Sequence, residues 1–260
     1  MVIIDEQHKF GVTQRDKLLR RGAHPHLLVM TATPIPRTMG LTLYGDLDIS
    51  TLEEMPAGRG SLKTYLRTAN SRPKVLSFLK KQIGTGRQAY FVFPRVEEKE
   101  ESEITAVTKE LSVLSEYFAP FRVAMVHGKM KSEEKDRIMR SFSDGETQIL
   151  LATTVIEVGV DVPNATVMVI EDAEQFGLAQ LHQIRGRIGR GLHASHCILI
   201  GDETKKEAWE RLKVLEQTRD GFLIAEADFK VRGPGELAGK QQSGLPRWRY
   251  LDLCKDRPLL

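Results

Sequence analysis

Short apolar runs alternate with amphipathic helical patterns along most of this chain, and that alternation narrows the fold more than any other feature. The runs are Val2–Ile4, Leu27–Met30, Ala89–Phe93, Val123–Val126, Ile149–Ala152, Val167–Ile170 and Cys197–Ile200. They are continuous rather than strictly alternating, as strands covered on both faces are. Between them, Pro73 can open a helix whose face is Val75, Leu76, Leu79 and Ile83, with Gly84 at its end. Ile104, Val107, Leu111, Leu114 and Phe118 form a second stripe. Ile138 and Phe142 anchor a third, with Ser132 as its expected cap and Glu133 and Glu134 favourable to its dipole. Thr204 and Glu207 have capping-box spacing before Ala208, Trp209, Leu212 and Leu215. Strand and helix in turn imply βαβ units, so the expected class is α/β with a parallel sheet and helices on both faces.

Two stretches break this rhythm. Met55-Pro-Ala-Gly-Arg-Gly60 reads as a linker, and the chain after about Thr218 reads as Gly-rich and irregular. The acidic run Glu97–Glu103 reads as a solvated loop entering a helix. No apolar run approaches the roughly 18 residues that span a bilayer. The N-terminus carries acids where a signal peptide has a basic region, so a cytoplasmic location is expected. Cys197 and Cys254 are the two cysteines and have no zinc spacing, which reads as two ordinary thiols. With 38 basic and 35 acidic residues the net charge is +3, which permits nucleic-acid binding without demanding it.

The chemistry begins at Asp5-Glu6-Gln7-His8, directly after Val2–Ile4. Acids at the C-terminal end of a buried strand stand where α/β sheets bind ligands. One acid can hold Mg²⁺ through water and the next can polarise an attacking water, although paired acids at a strand end are often plain loop residues. Leu27–Met30 ends in Thr31-Ala-Thr33-Pro, whose hydroxyls can report the state of the acids or simply cap a turn. Gln183-Ile-Arg-Gly186-Arg187-Ile-Gly-Arg190 combines cations with glycines. Arg187 and Arg190, three apart, are expected on one side of a helical turn, and guanidinium matches phosphate oxygens bidentately. Gly186, Gly189 and Gly191 are expected to keep bulk away from a close neighbour. Thr153-Thr154 and Glu157-Val-Gly159-Val-Asp161 follow another apolar run. There the glycine permits close approach, and Asp161 can accept from an arginine or a ribose.

These stretches stand in the order and spacing of helicase motifs II, III, V and VI. The chain resembles the superfamily 2 helicases and, within them, the bacterial branched-DNA helicases of the RecG family. The resemblance runs from residue 1 to about 250 and rests on Asp5-Glu-Gln-His-Lys-Phe-Gly-Val12, Thr31-Ala-Thr-Pro-Ile-Pro-Arg-Thr38 and Leu43-Tyr-Gly-Asp-Leu-Asp48. It continues through Glu171-Asp-Ala-Glu-Gln-Phe-Gly-Leu-Ala-Gln-Leu-His182 and Arg232-Gly-Pro-Gly-Glu236. The transcription-repair coupling translocases of the Mfd type share the Thr31–Thr38 stretch but usually carry Glu where this chain has Gln7, which makes them the alternative, beside a non-catalytic DNA-binding module.

The resemblance implies two RecA-like domains with ATP between them. Residues 1–55 would be the C-terminal remnant of the first, 56–203 the second, and 204–260 an extension coupling ATP hydrolysis to DNA translocation. It implies that Asp5 organises Mg²⁺, Glu6 activates water, and Gln7, His8, Thr31 and Thr33 couple nucleotide to DNA. Gln183, Arg187 and Arg190 would face the γ-phosphate, with Arg190 as the arginine finger. Gly159 and Asp161 would bind ribose or signal between sites. His127, Thr153 and Thr154 would lie near the DNA backbone, and Arg232, Glu236 and Gln241 would serve translocation. The implied partner is branched double-stranded DNA, the implied state a monomer, and no membrane is involved.

The sequence departs from the family in one respect. It holds no Gly-x-x-x-x-Gly-Lys-Ser/Thr loop to cradle phosphates, and the nearest string, Gly233 to Gln241, has the wrong spacing. The family's wedge domain is also missing. The chain is therefore expected to be a C-terminal portion whose phosphate-binding and wedge domains lie elsewhere, and to hydrolyse no ATP alone. Residues 1–55 are expected to expose apolar surface or to be poorly ordered.

Overall fold

A computed structural model describes residues 1–6, 25–31, 48, 50–52, 58–94, 100–153 and 161–232. Gln7, His8, Thr33, Thr154, Gly159, Glu236 and Gln241 lie outside the described residues, as do Cys254 and the 233–260 tail. The chain divides into two compact units, one of residues 1–50 with 220–260 and one of residues 51–219.

The larger unit is built on six strands, β3 (Leu62–Thr68), β4 (Gln88–Val92), β5 (Val123–Val126), β6 (Ile149–Ala152), β7 (Ala165–Ile170) and β8 (Ser195–Gly201). They form one parallel sheet in the order β3-β8-β7-β4-β6-β5. Every residue of β4, β6 and β7 is buried, which is why Ala89–Val92, Ile149–Ala152 and Val167–Ile170 within them read as unbroken apolar runs. Helices α1 (Arg72–Gly84) and α2 (Glu100–Phe118) cover one face. Leu79, Ile83, Leu114 and Phe118 meet Phe91, Leu151 and Val169 there. The other face carries Tyr90, which packs on Phe142 of α3 (Ser132–Ser143) at a ring-centroid distance of 5.0 Å. Helices α4 (Leu178–Arg185) and α5 (Lys206–Gln217) complete that layer, α5 packing on β3 and α4. The expected parallel sheet with helices on both faces is thus present.

One strand was not expected and three local expectations need correction. Strand β3 is not an apolar run: Lys63, Thr64 and Arg67 interrupt it, and it buries only alternate residues, Thr64 and Leu66. Ser132 is not the cap of α3. Lys131 takes the extended cap conformation (ψ 147°) and no side chain caps it. The Thr204–Glu207 box is not formed, since the Thr204 hydroxyl donates to Asp202 Oδ1 (2.6 Å) and Lys205 stands at the cap of α5. The chain after Thr218 is not irregular at once, because α6 spans Gly221–Arg232. Asp220 opens that helix by accepting from the backbone of Phe222 (2.7 Å) through its carboxylate and from Ile224 (3.1 Å) through its carbonyl.

The larger compact unit runs from Thr51 to Arg219, and within it α5 packs against β3. In the smaller unit, β1 (Val2–Asp5) pairs in parallel with β2 (Leu27–Met30), Ile3 opposite Leu28 and Asp5 opposite Met30. These two strands are covered on one face only. Ile3, Leu28 and Met30 are exposed, so the expectation of two covered faces fails here while the expected apolar exposure is present. No helix among the described residues is long and apolar enough to cross a membrane.

Candidate nucleotide and nucleic-acid sites

The Gln183–Arg190 stretch begins as the last turn of α4 and leaves it. Gly186 N–H donates to His182 O (3.1 Å), while Arg187 N–H and Ile188 N–H bond three residues back, tightening the chain into one further turn. Gly189 then takes a positive φ of 75°, a conformation that disfavours a side chain and turns the chain away. Arg187 and Arg190 therefore do not share a helical turn as expected; Arg190 lies beyond the break. Gln183 is half-buried on the helix itself.

Gly191 keeps bulk away from a close neighbour, as expected, and that neighbour is this chain's own backbone. A Cβ on Gly191 would stand 2.7 Å from Pro163 O, so glycine is needed because two stretches of this chain's own backbone touch. Gly60 N–H donates to Gly191 O (2.8 Å), and Ser195 N–H donates to Ser61 O (2.7 Å). Residues 58–61, 161–164 and 186–194 thus meet at the edge of the sheet where β3, β7 and β8 begin. This contact brings together two residues 29 apart. Arg190 Nη1 lies 3.6 Å from Asp161 Oδ1, and its Nε–H donates to Gly186 O (3.2 Å). Burial pushes the nearby Tyr90 hydroxyl up to about 12, against the pull of Arg187 and Arg190 and with a smaller push from Asp161.

Across the sheet, at the edge where strands end, lies a second group. Val126 and Ala152 are partners in register, so His127 and Thr153, which follow them, emerge side by side. Thr153 is buried and His127 half-buried. Lys135 Nζ donates to Gly128 O (2.6 Å) and closes the turn after His127, and His127 Nδ1 has no hydrogen-bond partner. In the smaller unit the same logic brings Asp5, Glu6 and Thr31 together at the strand ends, because Asp5 pairs with Met30. Asp5 is exposed, and Glu6 takes a positive φ of 50°. No group of three or more His, Cys, Asp or Glu residues that could hold a metal exists among the described residues. A single exposed carboxylate suits Mg²⁺, which keeps most of its waters and binds through one or two acids and substrate phosphates. Arg232 is the last residue of α6.

Two arginines were missed from the sequence. Arg185 is 3% exposed and donates from Nη1 to Thr64 Oγ1 (3.2 Å), Leu215 O (2.8 Å) and Thr218 O (3.0 Å). Burial lowers its pKa from the ordinary guanidinium value. Its signal was its place on the apolar stripe of Leu178, Leu181 and Ile184. Arg72 bridges Glu171 Oε1 (2.8 Å) and Glu110 Oε2 (2.6 Å), joining the start of α1 to α2 and the end of β7. Residues this far apart in sequence leave no local pattern.

The chain is similar to known proteins. Residues 73–191 match the family described as the helicase conserved C-terminal domain, and 218–257 match domain 3, C-terminal, of the ATP-dependent DNA helicase RecG. The chain is 51% identical over 261 residues to the ATP-dependent DNA helicase RecG of Synechocystis, covering 100% of this chain and 31% of that relative. It is 48% identical to that of Bacillus subtilis, covering 98% of this chain and 38% of the relative. The chain thus spans about a third of the length of the curated relatives it matches. A solved structure of RecG bound to a three-way DNA junction superposes with a TM-score of 0.73 at 43% identity, covering 99% of this chain and 33% of that one. The fold is the RecA-like helicase C-terminal fold, and the chain belongs to the RecG family of superfamily 2 helicases, as a C-terminal portion of it.

Proposed function

We propose that this chain is the second RecA-like half, with its extension, of an ATP-driven motor that remodels branched DNA. The observation that carries the reading is the placing of two polar groups on opposite edges of one sheet. Arg190 with Asp161 sits where strands begin, and His127 with Thr153 sits where strands end. A translocase needs that separation, because nucleotide and nucleic acid must be held at once and moved relative to each other.

In this reading Gln183, Arg187 and Arg190 face the γ-phosphate of ATP, and Arg190 stabilises charge on the transferring phosphoryl group. Such a finger is worth about 10³–10⁵ in rate. Asp5 holds Mg²⁺ through water, and Glu6 orients the attacking water. Gln7, His8, Thr31 and Thr33 relay nucleotide state, while Gly159 and Asp161 serve the nucleotide side. His127, Thr153 and Thr154 contact phosphodiester oxygens, which position a duplex without reading its sequence. Arg232, Glu236 and Gln241 couple hydrolysis to movement. The motor acts as a monomer in the cytoplasm.

The test is complementation. The chain is mixed with, and separately fused to, the part of the Synechocystis relative that it does not match, and ATPase is measured with and without forked DNA. Fork-stimulated hydrolysis lost in Arg190→Ala by about 10³ or more is expected. Folded but inactive fusions would overturn the reading. The chain alone is expected to show no ATPase; robust activity abolished by Glu6→Ala would contradict that.

A further inference from the structure

We propose that Asp161 is a positioning residue for Arg190, holding its guanidinium in one orientation through a frame built by Gly191 and Pro163. The inference rests on the reading of Arg190 as the γ-phosphate group and adds what aims it. Asp161 and Arg190 are far apart in sequence, yet each stands next to a point of backbone contact. Pro163 follows Asp161 by two residues and Gly191 follows Arg190 directly. A Cβ on Gly191 would meet Pro163 O at 2.7 Å, so the two segments lie in direct contact. From its other side Gly191 O accepts from Gly60 N–H (2.8 Å), which pins the segment between two neighbours.

The side chain is then held at two points. Its Nε–H donates to Gly186 O (3.2 Å) at the near end, and Nη1 faces Asp161 Oδ1 (3.6 Å) at the far end. The Arg190 side chain is 27% exposed and that of Asp161 is 55% exposed. A pair this open adds little to stability. What it changes is direction. A long arginine free at its tip samples many rotamers, and a charge-stabilising group acts only when aimed at its target. Asp161 leaves Nη2 uncommitted by this pair. The buried Tyr90 hydroxyl feels both Arg190 and Asp161, in keeping with their pairing.

The alternative role, a carboxylate accepting from a ribose hydroxyl, predicts different kinetics. The first arm uses the chain as it stands. The Arg190 Nε–H signal is followed by NMR in the parent and in Asp161→Ala, a change at a side chain 55% exposed, with circular dichroism as the check that the fold is kept. Solvent exchange several-fold faster in the variant is expected; unchanged exchange overturns the proposal. The second arm is a four-variant cycle of Asp161→Ala and Arg190→Ala in the fusion with the unmatched part of the Synechocystis relative.

Asp161→Ala is expected to lower kcat about ten- to a hundredfold with the KM for ATP unchanged. In the Arg190→Ala background it is expected to lower kcat no further. A loss that adds fully to that of Arg190→Ala, or that vanishes with 2′,3′-dideoxy-ATP, overturns the positioning role and leaves Arg190 as the finger. An Arg190→Ala variant as active as the parent overturns the reading of Arg190 itself, and the positioning role with it.

Discussion

Charge buried at a few residues sets what each can do. Glu171 is 9% exposed, and burial pushes its carboxyl above the usual carboxylate range although Arg72 pulls the other way. A raised folded pKa means the native state binds the proton more tightly than the unfolded chain. This contribution to stability is therefore full below the ordinary carboxylate value and is lost as pH rises through the folded value. Glu171→Gln is expected to gain in melting temperature relative to the parent between pH 4.5 and pH 7; a difference that shrinks over that window would refute it. Arg72→Ala instead leaves Glu171 and Glu110 facing each other without their shared cation. It is expected to cost about 2–3 kcal/mol at pH 7, measured by urea unfolding. Cys197 is fully buried, its thiol pushed up to about 12 by that burial. Because only the thiolate reacts, iodoacetamide is expected to leave Cys197 unmodified in the native chain and to label it after unfolding, read by peptide mass spectrometry.

At the scale of single elements, periodicity made most of the sheet legible. Leu27–Met30, Val123–Val126 and Ile149–Ala152 are strands with the bounds their apolar runs suggest. Where a strand is buried, apolar residues dominate and only Gln88 in β4 and Thr166 in β7 shorten the run, whereas Leu27–Met30 reads as apolar although Leu28 and Met30 are exposed. Strand β3 was missed because Lys63, Thr64 and Arg67 break its run. Helix ends were less legible, because a hydroxyl has several partners within reach and its choice depends on backbone geometry. Ser132 is inside α3, so Ser132→Ala is expected to change stability by no more than about 0.5 kcal/mol, where loss of a true cap costs about 1. A loss of the larger size in thermal melts would restore the capping role. Gly189 holds the break after α4 at φ 75°, so Gly189→Ala is expected to cost about 1–2 kcal/mol.

At the scale of the whole molecule, the chain divides into two units, and the large buried cluster among the described residues lies in residues 51–219. Residues 51–219 bury Leu79, Ile83, Phe91, Leu114 and Phe118 against a six-stranded sheet. In residues 1–50 the described strands are β1 and β2, and Ile3, Leu28 and Met30 face outward. A fragment of residues 51–219 is therefore expected to unfold in one cooperative transition, at a temperature no lower than the whole chain. A broad, non-cooperative melt by circular dichroism would refute it. The amino-acid sequence alone determined the α/β class, the parallel sheet and the family, since hydrophobic period and motif order are local properties read along the chain. Only the tertiary structure decided which edge of the sheet each motif occupies, that Arg185 is buried, and that Arg190 meets Asp161. Those outcomes depend on close contact between distant segments, such as Gly191 against Pro163, where the distance between two backbones decides what the side chains beside them can reach.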